Sequence, residues 1–126
     1  MRHWHTIYHM IMKVKEWVTV VETGAFLKRA IEFLTVEEID ALKQVLANTP
    51  EIGLLIPNSG GLRKLRVSAQ QKGKSGGARV IYYYHSSKMP IFLLDIYLKS
   101  RKVDLGKSEL SILRKLTEQL CNTYGV

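Results

Sequence analysis

The middle of this chain has no acid. From Ile52 to Leu94 there is neither Asp nor Glu, while Arg63, Lys64, Arg66, Lys72, Lys74, Arg79 and Lys88 supply seven positive charges. The rest of the chain carries 12 basic and 11 acidic residues, so nearly all of the net charge of +8 belongs to that one segment. Such a concentration suits a surface that binds a polyanion. Cysteine is almost missing as well. Cys121 stands alone, which excludes an internal disulfide and a multi-cysteine metal site and allows a reducing compartment. No apolar run approaches the roughly 18 to 20 residues of a membrane span. The opening "MRHWHTIYHMIMK" lacks the charged, apolar, small order of a secretory signal. A soluble, cytoplasmic protein with no membrane partner is expected.

What is present is material for one core. With 126 residues, 46% of them apolar or aromatic, a single domain over 1–126 is expected, and residues 1–12 form a loose extension, Met12 being an alternative start. Lys15 to Thr23 is short and β-branched and reads as a strand. "GAFLKRAIEFL" sets Phe26, Leu27, Ala30, Ile31 and Leu34 on one helical face. Thr35-Val36-Glu37-Glu38 fits a capping box that starts a second helix with Val36, Ile39, Leu42, Val45 and Leu46 in period, until Asn48-Thr49-Pro50 ends it. A loop marked by Pro57-Asn58 and Gly60-Gly61 follows. Leu62 to Ala69, Ala78 to His85 and Ile91 to Lys99 then read as a three-stranded antiparallel meander, and Ser108 to Cys121 as a helix turning Leu110, Leu113, Leu116 and Leu120 inward. The order β-α-α-β-β-β-α predicts an α+β domain with a curved antiparallel meander, helices packed on one sheet face and an open basic face opposite.

Strand alternation sorts the side chains. Leu65 and Val67, then Val80, Tyr82 and Tyr84, then Phe92, Leu94, Ile96 and Leu98 are assigned to the helix-covered face. Lys64 and Arg66, then Arg79, Ile81 and Tyr83, then Leu93, Asp95, Tyr97 and Lys99 are left for the other. Lys64, Arg66, Arg79, Tyr97 and Lys99 thus converge on one surface.

The tripeptide Gly73-Lys74-Ser75 invites comparison with a phosphate loop, but Ser68 occupies the first glycine position and "GGARVIYYY" after it reads as a strand rather than a helix. A hairpin loop explains it better, with Lys72 and Lys74 able to touch a nucleic-acid backbone. His3, His5 and His9 lie in the extension without carboxylate partners, so neither metal nor cofactor is expected. Asp95 is the one carboxylate on the basic face. That disfavours paired-carboxylate and two-metal chemistry, and a salt bridge orienting Arg79 is expected of it.

A surface of Lys, Arg and Tyr can still run one phosphoryl reaction, cleavage of RNA by its own 2′-hydroxyl. A base takes that proton, cations stabilise the pentavalent phosphate, and an acid protonates the leaving 5′-oxygen. Mutual repulsion among clustered cations makes Lys64 or Lys99 a usable base or acid. Arg79 matches phosphate oxygens bidentately. Tyr97 and Tyr83 are the aromatic surfaces on which bases could stack.

At these residues a resemblance enters. "GGLRKLRV", a Lys/Gly-rich loop, "GGARVIYYY" and "FLLDIYLKS" resemble the HigB branch of the RelE-type toxins of toxin-antitoxin pairs, over about Lys13 to the C-terminus. The resemblance implies a RelE-like fold and a ribosome-dependent mRNA endoribonuclease, an mRNA interferase that needs no metal and inhibits translation. The implied partners are the ribosome, mRNA and a cognate antitoxin of helix-turn-helix type, with operator DNA reached through the antitoxin complex. Carried over by position, the family's basic residues match Lys64, Arg66, Arg79 and Lys99, with Arg101 and Lys102 nearby as backup. Joined with the reading of the residues themselves, the expected catalytic set is Lys64, Arg66, Arg79, Lys99 and Tyr97, and the expected RNA-binding set Arg63, Lys72, Lys74, Tyr83, Arg101 and Lys102. Leu98 stands where the family often has Gly, and "SRKVDLGKSEL" shortly after the last strand has no tyrosine where relatives often carry one, so Tyr97 is the substitute. ParE-like members of the superfamily act on gyrase, which leaves a non-catalytic inhibitor or nucleic-acid-binding regulator as the alternative.

Overall fold

The computed structural model describes residues 18–126. The expected N-terminal extension, its three histidines and the start of the first expected strand lie outside the described residues.

Val20–Glu22 forms β1, and Thr23 converts the chain from strand to helix. Its hydroxyl accepts from the Phe26 amide at 3.2 Å and donates to the Leu93 carbonyl at 2.8 Å, so one side chain caps α1 (Gly24–Phe33) and fastens it to the sheet. The predicted capping box opens α2 (Val36–Asn48). The Glu38 amide donates to Thr35 Oγ1 at 3.1 Å and the Thr35 amide to Glu38 Oε1 at 2.9 Å. The helices bury Phe26, Ala30, Phe33, Ile39, Leu42 and Leu46, whereas the expected apolar positions Leu27, Ile31, Val36 and Val45 remain exposed.

Leu54–Leu55 (β2), Leu62–Ala69 (β3), Lys74–Tyr83 (β4) and Ile91–Leu98 (β5) complete a five-stranded sheet in the order β1-β5-β4-β3-β2. β1 runs parallel to β5 and the other neighbours are antiparallel. The predicted meander is therefore present, and β2 adds a short strand inside the expected loop. Between β3 and β4 the turn is tighter than the sequence suggests. Gln70–Lys72 makes one 3-10 turn, and Lys74 and Ser75 already belong to β4. With no helix after Gly73-Lys74-Ser75, the geometry of a phosphate loop is absent there.

The helices do not share one face of the sheet. α1 and α2 cover the face carrying Val80, Tyr82, Leu93 and Ile96. α3 (Lys107–Tyr124) lays Leu110, Leu113, Leu116 and Leu120 against Leu62, Ile81, Tyr83 and Phe92 on the other. The face expected to be open is thus covered at one end and free of helix only where the cationic residues stand. Burying each of these large side chains contributes roughly 1.5–3 kcal/mol, which explains why a leucine-lined helix settles on the apolar half of that face.

The alternation assigned to β5 also changes part-way. Ile81 pairs with Asp95 but Tyr82 pairs with Leu93, so Leu94 is an extra residue, a β-bulge. Past it the parity reverses. Phe92 and Leu94 pack with α3 instead of with α1 and α2, and Leu93 moves to the α1/α2 side, while Ile96, Leu98 and Tyr97 keep their expected faces.

Candidate nucleic-acid interface

Register places the basic residues in rows across the sheet. Arg66 on β3 lies directly opposite Arg79 on β4, and Arg79 directly opposite Tyr97 on β5. Lys64, two residues along β3, pairs with Ile81 and points to the same face. Like charges directly opposite one another oppose sheet formation. Among the described residues no carboxylate forms an ion pair with Arg66 or Arg79. Two guanidiniums held side by side without a counter-charge make a seat for an anion, and the planar forks fit phosphate oxygens.

After β5 the chain doubles back over this end of the sheet. The amides of Arg101 and Lys102 both donate to the Leu98 carbonyl at 3.1 Å, and Lys99 Nζ reaches the Val103 carbonyl at 3.4 Å. The return brings Lys102 over the Tyr97 ring, 5.5 Å from its centroid, and ion-pairs it with Glu109 of α3. That lysine, with the Gly106 amide, holds the Glu109 carboxyl below the usual range. Lys99 and Arg101 stay exposed at the rim.

Asp104 arrives by the same return, 3.5 Å from Lys64 Nζ. Sequence reasoning missed it, since nothing in "SRKVDLGK" signals where that loop folds. The Leu105 amide donates to its Oδ1 at 2.9 Å, and this bond, aided by Lys64 and Lys99 against partial burial, keeps the carboxyl below its usual range. Lys64 is therefore not surrounded by cations alone.

Tyr97 is only 6% exposed, and among the described residues its hydroxyl makes no hydrogen bond of good geometry, although the Asp104 carboxylate lies near enough to act on it. Burial, reinforced by the charge of Asp104 and opposed by Arg79, pushes the phenol up to about 12. It keeps its proton near neutral pH, and so serves as a donor or acid rather than a base.

Other expected residues stand elsewhere. Asp95 pairs not with Arg79 but with Arg29 of α1, at 2.5 Å, and also accepts from the Ile96 amide at 2.8 Å. The bulge lies immediately beside Asp95, between it and Leu93. Arg63 projects from the opposite parity of β3 and donates to the Glu51 and Gly53 carbonyls at 3.1 and 2.7 Å, holding the loop before β2. Lys72 donates to the Ile31 carbonyl of α1, away from the row. Tyr83 is buried under α3 with its hydroxyl 3.1 Å from Cys121 Sγ; that burial raises its pKa and leaves no ring face for a base. Lys74 stays beside the row, lining a cleft with Arg66.

Among the described residues no three of His, Cys, Asp and Glu are grouped to hold a metal ion, and no helix is long and apolar enough to cross a membrane.

Residues 40–124 match the family described as the RelE toxin of the RelE/RelB toxin-antitoxin system, which spans more than half of the chain. The chain belongs to the RelE toxin family. Among solved structures it is similar to a free-state structure of the Escherichia coli toxin RelE carrying two arginine-to-alanine replacements. The TM-score is 0.53 at 16% identity, covering 76% of this chain and 96% of that one. At that identity the likeness concerns the RelE fold; the family match over 40–124 takes in most of α2, the meander and α3.

Proposed function

We propose that this RelE-family toxin is an mRNA interferase that cuts ribosome-bound mRNA through the RNA's own 2′-hydroxyl, and that a cognate antitoxin of helix-turn-helix type silences it by covering the basic face. The observation that carries the reading is the row Arg66, Arg79, Tyr97, in which two arginines oppose each other with no acid between them. A phosphodiester seated there turns their repulsion into shared attraction.

The O2′–P bond forms as the P–O5′ bond breaks, leaving a 2′,3′-cyclic phosphate and a 5′-hydroxyl. Arg66 and Arg79 hold the non-bridging oxygens, where negative charge grows in the pentavalent state. The 2′ proton passes to a lysine in its neutral form, Lys99 or, once its contact with Asp104 is released, Lys64. Tyr97, which retains its own proton, donates to the phosphate or to the leaving O5′; Lys102 lies over its ring, so its hydroxyl meets substrate once the loop carrying Lys102 and Asp104 shifts. Arg101, at the rim, extends the path of the RNA backbone.

The test is induction of the protein in cells followed by primer-extension mapping of transcripts. Wild type gives discrete cuts within coding regions. Arg79→Ala, whose side chain among the described residues has no partner beyond the neighbouring Ala78 carbonyl, stays folded and loses about 100-fold or more of the cleavage. Growth arrest by folded Arg79→Ala at wild-type strength overturns the assignment, and intact mRNA with DNA damage points to the gyrase-directed alternative.

A further inference from the structure

The basic row does not end at Arg66. Beyond it on the β3–β4 hairpin lies a cleft of about 410 Å³, lined by Arg66, Val67 and Ser68 of β3 and by Lys74 to Gly77 of β4. Its origin is an irregularity in the pairing. Val67 pairs with Ala78, but Ala69 pairs with Lys74, so β4 spends four residues where β3 spends two. Ser75, Gly76 and Gly77 thus stand against Ser68 alone, with Gly77 packed close on the Val67 carbonyl and Gly76 in open space. Gly76 and Gly77 both have positive φ, +79° and +69°, and a Cβ added at Gly76 would meet nothing within 4 Å. The cleft floor is therefore bare backbone, and its polar side chains are two cations and two hydroxyls. No carboxylate lines it, and none occurs within the acid-free segment that builds it.

The polar side chains of this cleft suit an anion carrying hydroxyl-bonding oxygens, Val67 being the one apolar side chain in its lining, and Arg66 belongs to both the cleft and the row. Lys74 is half-buried there, and Lys72 is directed instead to the Ile31 carbonyl of α1. The hairpin thus separates two lysines that the sequence places two residues apart.

We propose that this cleft is a second phosphate seat, in which Lys74, Ser68 and Ser75 hold a backbone phosphate of the RNA neighbouring the one at Arg66 and Arg79. The seat rests on the reading of the row as an RNA-cleaving site and deepens it. It makes the substrate a single strand engaged by at least two phosphates, and it gives the Gly-Lys-Ser-Gly-Gly run a task in positioning, not in chemistry.

Binding of 2′-O-methyl oligouridylates to the full chain, followed by fluorescence anisotropy across a salt series, tests it. A hexanucleotide spans both seats, whereas a dinucleotide with one phosphate spans only the row. Each phosphate contact on a single strand contributes a slope of about −0.7 in log affinity against log salt. Lys74→Ala is expected to make the hexanucleotide slope shallower by about 0.7 and to leave dinucleotide binding unchanged, with Ser75→Ala weakening the hexanucleotide alone. An unchanged slope, equal loss for both RNAs, or the same loss from Lys72→Ala overturns the seat. Arg79→Ala separates the two readings. If it weakens both RNAs while Lys74→Ala alters neither, only the second seat fails; if it alters neither RNA, the row itself is wrong. A wild-type chain that holds neither RNA also overturns the seat, while the primer-extension experiment still reads the row.

Discussion

The Tyr97 hydroxyl is buried with no well-formed hydrogen bond among the described residues, the Asp104 carboxylate alone acting on it, an arrangement that costs up to about 1–3 kcal/mol of folding free energy. A group kept at such a cost in the middle of a cationic row fits a role with substrate, where a phosphate oxygen supplies the missing acceptor. Removing only the oxygen separates the two effects. Tyr97→Phe is expected to equal or exceed wild type in stability to urea and to cut transcripts at least about tenfold more slowly. A clear loss of stability would mean that the hydroxyl is structural. The same residue leaves a mark at high pH. Its pKa is raised from 10.0 to about 12 in the folded state, so the stability it contributes is complete below pH 10 and is lost as pH climbs through 12, because the unfolded chain gives up the proton first. Melting temperatures followed from pH 9 to 12 should therefore fall more steeply for wild type than for Tyr97→Phe.

Among the elements, the β3–β4 hairpin shows how local backbone shapes the site. A Cβ on Gly77 would lie 2.5 Å from the Val67 carbonyl oxygen, and φ there is +69°. Gly76 shares the left-handed conformation but has open space around it. Gly77→Ala is thus expected to destabilise by more than about 1 kcal/mol and by clearly more than Gly76→Ala, which bears only the strain of φ. Urea midpoints of the two variants decide it, and equal losses would remove the role given to close packing. Away from its turn, which is tighter than expected, the hairpin was also where the sequence was most legible. β3 and β4 alternate cleanly, so Lys64, Arg66 and Arg79 could be placed together from period alone, and the Thr35/Glu38 box gave the start of α2. β5 was not legible in the same way. All eight residues from Ile91 to Leu98 are buried, so its two faces differ little in hydropathy and one bulged residue leaves no trace in the pattern. The leucines of α3 announced an apolar face but not which side of the sheet it would meet. Asp104 reaches the site through a loop with no period, and only the fold brings it to Lys64.

For the molecule as a whole, charge is distributed at the expense of stability. An excess of +8, nearly all of it in one segment, gathers cations at the end of the sheet that α3 leaves uncovered, and Arg66 against Arg79 is its most concentrated point. Proteins tolerate such arrangements where function needs them, so relieving the repulsion should stabilise the fold and abolish activity together. Arg66→Glu makes the test sharp, since it removes a like-charge pair and puts an opposite-charge pair in the same register. Each change is worth roughly 0.2–1 kcal/mol on a sheet surface, enough to raise the melting temperature by about a few degrees at low salt. The gain should shrink as salt rises, because the screening length falls from about 30 Å at 0.01 M to about 3 Å at 1 M. Arg66→Gln, which only deletes the repulsion, should fall between the two. Both variants should lose cleavage while melting no lower than wild type. A lower melting temperature for Arg66→Glu at 0.01 M salt would show that Arg66 supports the fold, and the explanation of its unpaired charge through phosphate binding would have to be given up.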